Sequence, residues 1–160
     1  MLNVFAPVFG EFSGTGFLVD GTECIAKFSA QEMIHGCCLG FRMQLIKKDN
    51  HDAVVNAFLL FSYNNKSGEI EMSLHDPKES FKELKRELKH QDQGSHRYVF
   101  SSHRAGAGYY RLCFDIVSPS ILNISVELSS TDDGLPSSFH KVWGASLMRV
   151  ASDSHFAYAA

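Results

Sequence analysis

The side chains best able to do chemistry are four cysteines, Cys24, Cys37, Cys38 and Cys113, and a scatter of eight histidines. His35, Cys37 and Cys38 lie close together, and His75 adjoins Asp76. A structural zinc site needs two close ligand pairs set apart along the chain, because four donors must converge on one tetrahedral ion. Neither group has that form, so surface histidines and a buried thiol pair are expected, with no metal. For nucleophilic catalysis, Cys113 stands near His103 and Asp115 in sequence. A nucleophile needs its base within hydrogen-bond reach, and with this many histidines and serines such triples can be drawn freely. There is no G-x-S-x-G elbow. The glycines of "AGAG" at 105–108 precede a strand, whereas a phosphate cradle leads into a helix, so they read as a turn. These patterns favour a protein that is not an enzyme and carries no cofactor.

Cys113 lies within "GYYRLCFD" at 108–115. At a period of two, Tyr110, Leu112 and Phe114 share one face of a strand, and Tyr109, Arg111, Cys113 and Asp115 share the other. The first set suits a core. The thiol on the opposite face needs a partner of its own.

Alternating apolar segments recur along the whole chain. Candidate strands are 2–9, 15–19, 38–47, 54–63, 69–75, 97–102, 109–117 and 122–128. Leu39, Phe41, Met43 and Leu45 share a face, as do Ile70, Met72 and Leu74, and Ile124, Val126 and Leu128. Turn chemistry separates them in "KKDNHD", "YNNKSG" and "RAGAG". Many short alternating strands with such punctuation predict an all-β antiparallel sandwich of about eight strands. One stretch departs from this. In "ESFKELKRELKH" (79–90), Phe81, Leu84 and Leu88 have helical spacing among helix-favouring charged residues, which predicts one short helix near 80–90, although an edge strand also suits Leu84, Arg86 and Leu88. The stretch from Phe139 to the end is compatible with a strand, a short amphipathic helix or a docking tail.

The chain's 160 residues are enough for one domain with a real core. A formal charge of −3 argues against a mainly electrostatic nucleic-acid binder. Thirteen phenylalanines against one tryptophan point to a core packed with phenylalanine rings. No apolar segment is long enough to span a bilayer as a helix. The opening residues lack the basic and apolar regions of a signal peptide, which leaves a cytosolic, organellar or processed chain. Asn65 and Asn123 head glycosylation triplets that matter only in a secreted protein.

Three stretches together resemble the GOLD domain, the luminal β-sandwich of the transmembrane cargo receptors of COP-coated vesicles. Gly108, Tyr110, Cys113 and Phe114 fit the Gly-x-Tyr-x-x-Cys-Phe strand of that family. "IEMSLHDP" (70–77) looks like its alternating strand ending in Asp76-Pro77, a strand-ending turn, and Glu23-Cys24 is similar to the pair that opens the domain. Tyr98 and Phe100 match an aromatic pair ahead of the Gly-Tyr strand. The resemblance implies a disulfide between Cys24 and Cys113, and a core holding Tyr98, Phe100, Tyr110, Leu112 and Phe114. It implies a domain over 23–128, flanked by extensions at 1–22 and 129–160. The function implied is noncatalytic binding of protein partners, cargo or sister subunits, in the lumen of the secretory pathway (ER/Golgi). The alternative is an accessory structural subunit of a larger, organellar or cytosolic, assembly. An enzyme or lectin-like binder with a loop-borne site is a third reading.

Overall fold

Strands form where inward apolar residues alternate with polar ones. The computed structural model describes residues 2–33, 38–76, 79–86, 96–104, 108–129 and 138–151. Its strands are β1 (Gly10–Leu18), β2 (Glu23–Met33), β3 (Cys38–Lys47), β4 (Ala53–Asn64), β5 (Glu69–Asp76), β6 (Glu79–Arg86), β7 (Arg97–Arg104), β8 (Gly108–Ser118), β9 (Ile121–Ser129) and β10 (His140–Arg149). In β3, Leu39, Phe41, Met43 and Leu45 are buried, and Arg42 between them is exposed.

Each strand pairs antiparallel with its neighbour in sequence, and β1 also pairs with β10 over Phe12–Leu18, closing the sheet into a ten-stranded barrel. This corrects the expected sandwich of about eight strands. A sandwich has two facing sheets with free edges, whereas here β1 is hydrogen-bonded on both sides and a single sheet curls round to meet itself, with β6 and β7 joined more briefly, at Lys85–Ser101 and Arg86–Phe100. The GOLD resemblance fails on the same ground. The segments expected as extensions, 1–22 and 129–160, supply β1 and β10, through which the barrel closes.

Two local expectations are also corrected. Residues 79–86 form β6, not a helix, because the barrel needs a strand between β5 and β7 and tertiary pairing outweighs the weak helical preference. Residues 87–90 lie outside the described residues. Leu2–Val8, expected as a strand, is a 3-10 turn containing Pro7.

A barrel of about eight strands is just filled by its own side chains, and ten strands enclose more. Here phenylalanine fills the space: Phe5, Phe12, Phe28, Phe41, Phe61, Phe100 and Phe114 are all fully buried. Their rings meet edge-on or tilted, as for Phe41 and Phe61 at 4.5 Å and Phe61 and Phe100 at 5.0 Å. Tyr98, Phe100, Leu112 and Phe114 belong to this core, and Tyr110 packs against it half-buried. Asp76 is the last residue of β5, and Pro77 lies outside the described residues.

Candidate functional site

The two ends of the barrel are built differently. Where β1 begins and β10 ends, the 3-10 turn Leu2–Val8 acts as a plug. Phe5 lies within 5.0–6.4 Å of the rings of Phe41, Phe61, Tyr98 and Phe100, and Val8 is buried beside it. Arg149 fastens the plug. Its guanidinium donates to the carbonyls of Pro7, Phe9 and Pro119 and lies 4.6 Å from the Phe12 ring centre.

The opposite end has no such plug among the described residues. Its rim carries half-buried apolar side chains, Leu18, Val55, Tyr110, Leu128 and Val142. Trp143, the single tryptophan, is buried just below them, opposite Leu18 on β1 and Val126 on β9. Three register irregularities fall at this end, at Leu45/Ile46, Leu74/Asp76 and Lys141/Trp143. A bulge puts one extra residue into a strand and re-aims a side chain, and bulges gather at barrel rims beside sites. At the Lys141/Trp143 irregularity, Val142 is the residue left without a partner on β9. Between the rim and the phenylalanines, the inward positions include the small residues Ala26, Ala57 and Ala145.

Among the described residues no cysteine is bridged. Cys24, Cys38 and Cys113 are all free, which corrects the Cys24–Cys113 disulfide. Cys24 points inward on β2, where its Sγ lies 3.9 Å from the Thr22 carbonyl oxygen. Cys113 is on the outer wall of β8, and β9, β10 and β1 separate the two strands. What Cys113 meets is a cation. Arg97 lies over it and also reaches Asp115 at 3.6 Å and Glu127 at 3.3 Å. Burial pushes the Cys113 thiol up, with the Arg97 guanidinium opposing. Burial pushes the Cys24 thiol up as well, against the attraction of Lys47.

The backbone does not bring Cys113 and His103 together. Cys113 pairs with Val99 on β7, and His103 sits four residues further along that strand, about 13 Å away at the usual strand rise. Asp115 shares the outer face of β8 but is turned to Arg97. His35 and Cys37 lie outside the described residues, and His75 is exposed. Among the described residues, no three metal-ligating side chains come together.

No family model matches the chain, and no curated protein matches it in sequence. Solved structures do match it in fold. The crystal structure of Rv2717c from M. tuberculosis superposes with a TM-score of 0.66 at 12% identity, over 93% of this chain and 96% of that one. The S-type phycobiliprotein lyase CPES from Guillardia theta gives 0.53 at 11% identity, over 92% and 91%. EF1p2_mFAP2b bound to DFHBI gives 0.50 at 10% identity, over 94% and 99%. At these identities the likeness is one of fold. It sets the chain beside antiparallel β-barrels and away from the GOLD sandwich, so the expectation of vesicle traffic loses its ground. No helix among the described residues is long and apolar enough to cross a membrane.

Proposed function

We propose that the barrel binds a small, largely apolar molecule, without catalysis, at the end opposite the plug. The observation that carries this is the asymmetry of the two ends. One is stoppered by Phe5 and Val8 and fastened by Arg149, and the other presents half-buried Leu18, Val55, Tyr110, Leu128 and Val142. Apolar rim residues left half in water gain when a ligand covers them, at roughly 25 cal/mol per Å² of area removed from solvent. Ligand sites favour the mouths of β-barrels for this reason. A barrel of similar fold is known bound to DFHBI, which illustrates the use of this architecture for a small ligand.

Trp143 supplies the test, since it is the only tryptophan and lies beneath the rim. Titration with the neutral fluorophore N-phenyl-1-naphthylamine should give saturable energy transfer from Trp143. Val55→Phe and Leu128→Phe, which add bulk at the rim, should each weaken binding about tenfold, roughly 1.4 kcal/mol. Absence of saturable transfer, or affinity unchanged in both folded variants, would remove the proposal.

A further inference from the structure

The outer wall carries a second feature that the lumen does not use. Across β1, β2 and β3, outward residues form two adjacent rungs. Ser13, Lys27 and Gln44 stand opposite one another, and Glu11, Ser29 and Arg42 form the next rung. They line a groove of about 430 Å³, together with Val150. Lys27 and Arg42 have no ion-pair partner among the described residues, although the chain as a whole is acidic. Two such cations beside the hydroxyls of Ser13 and Ser29 make a donor set for an anion: charge from the cations, directed hydrogen bonds from all four.

The wall beside the groove changes character abruptly. Met148 on β10 lies directly opposite Ser13, and the Val150 backbone donates to the Glu11 carbonyl. Met148 is 66% exposed and Val150 44%, which sets two of the exposed large apolar side chains at the border of one cationic groove. Singly exposed apolar residues need no explanation, but a cluster bordering a polar groove marks an interaction site.

We infer that this groove holds an anionic amphiphile, with a phosphate or carboxylate head between Lys27 and Arg42 and its hydrocarbon part across Met148 and Val150. The same chemistry is offered by a free molecule and by a lipid in a bilayer. The groove's volume falls in the small-ligand range of roughly 300–1,000 Å³, and we assign it to the free molecule. Glu11 repels an anion from the plug side and keeps the head towards Lys27.

Octyl phosphate below its micelle concentration is the probe, followed by backbone amide shifts. Saturable shifts are expected at Ser13, Lys27, Ser29 and Arg42. Inorganic phosphate and neutral octyl glucoside should each bind at least about tenfold more weakly, since each lacks one half of the recognition. K27Q/R42Q should lower affinity about tenfold, and E11Q should raise it. The lumen is separable: V55F and L128F should leave octyl phosphate binding unchanged, while K27Q/R42Q should leave N-phenyl-1-naphthylamine binding unchanged. The inference is overturned if shifts centre on Leu18, Tyr110 and Leu128, or if K27Q/R42Q binds octyl phosphate as the native chain does. Sedimentation with phosphatidic acid vesicles without binding of monomeric octyl phosphate would overturn it equally.

Discussion

A thiol on the outside of a barrel would ordinarily be open to solvent, yet Cys113 is only 1% exposed. Its cover is a charged one: Arg97 reaches over it between Asp115 and Glu127. These ion pairs are half-exposed and contribute little stability in themselves. What they do is shield a neutral thiol from oxidants and cross-linking partners. With Cys24 on the inner side of a strand separated from β8 by three others, reductant should leave the melting temperature unchanged within about 1 °C, whereas a native bridge closing so long a loop would contribute about 4–5 kcal/mol. A reductant-dependent drop in thermal denaturation would refute the free-thiol state. The same burial gives a pH dependence. Both thiols ionise above their ordinary value of roughly 8.5 when folded, so the unfolded chain loses these protons first. Stability should fall as pH rises through about 8.5 and level off only above the folded values. Urea titrations at neutral and alkaline pH should show a shallower decline in Cys24→Ala/Cys113→Ala than in the native chain. At this scale the sequence was informative up to a point. Alternation around Cys113 placed it off the apolar face, but what lies across the neighbouring strands depends on register, and no periodicity within one strand contains that.

At the scale of elements, the segments with strict alternation were legible: 38–47 coincides with β3, and the 54–63, 69–75, 109–117 and 122–128 segments fall within β4, β5, β8 and β9. The exceptions have physical causes. Glu79–Arg86 is charged enough to prefer a helix in isolation, and becomes β6 through pairing with β5 and β7. Leu2–Val8 alternates like a strand, but Pro7 lacks the N–H a central ladder needs, and the segment turns under the barrel instead. The rim was harder to see, because Leu18, Val55, Tyr110, Leu128 and Val142 come from five separate segments and meet only after closure. The plug carries the prediction that belongs here. Phe5→Ala removes a buried ring that touches four others, and should cost about 3–4 kcal/mol in denaturant unfolding. Arg149→Met keeps the side chain's length but loses its carbonyl bonds; because the group is exposed, a smaller cost of about 1–2 kcal/mol is expected. In both variants hydrogen exchange should quicken first at residues 5–9. Equal protection of that segment in native and variant chains would show that the turn is not a plug.

For the molecule as a whole, the decisive event is closure, since every pairing except β1 with β10 joins neighbours in sequence. That last seam joins the first strand to the last, and so carries the largest loop-closure cost and a slow, non-local step in folding. Two glycines on β1 make it possible. At Gly14, a Cβ would lie 2.0 Å from the backbone oxygen of Ser146 on β10, far inside contact distance, and at Gly16 it would lie 2.6 Å from Leu45 Cδ1. The β10 backbone lies so close to Gly14 that only a hydrogen fits, the kind of close approach for which a strand needs glycine. The obstacle at Gly14 is backbone and cannot rotate away, whereas the leucine end facing Gly16 can shift. Gly14→Ala should therefore cost more than 2 kcal/mol, roughly the upper range for overpacking, and Gly16→Ala less. Gly21 is the control: it has φ +84° in the β1–β2 turn and open space around it, so Gly21→Ala should pay only backbone strain of about 1 kcal/mol. Exchange in Gly14→Ala should rise specifically along Phe12–Leu18 and Trp143–Arg149, and rim binding should weaken with it, because Leu18 and Trp143 face each other across that seam. If Gly14→Ala proved no more destabilising than Gly21→Ala, closure of the sheet through β1 and β10 would be refuted, and with it the lumen on which ligand binding depends.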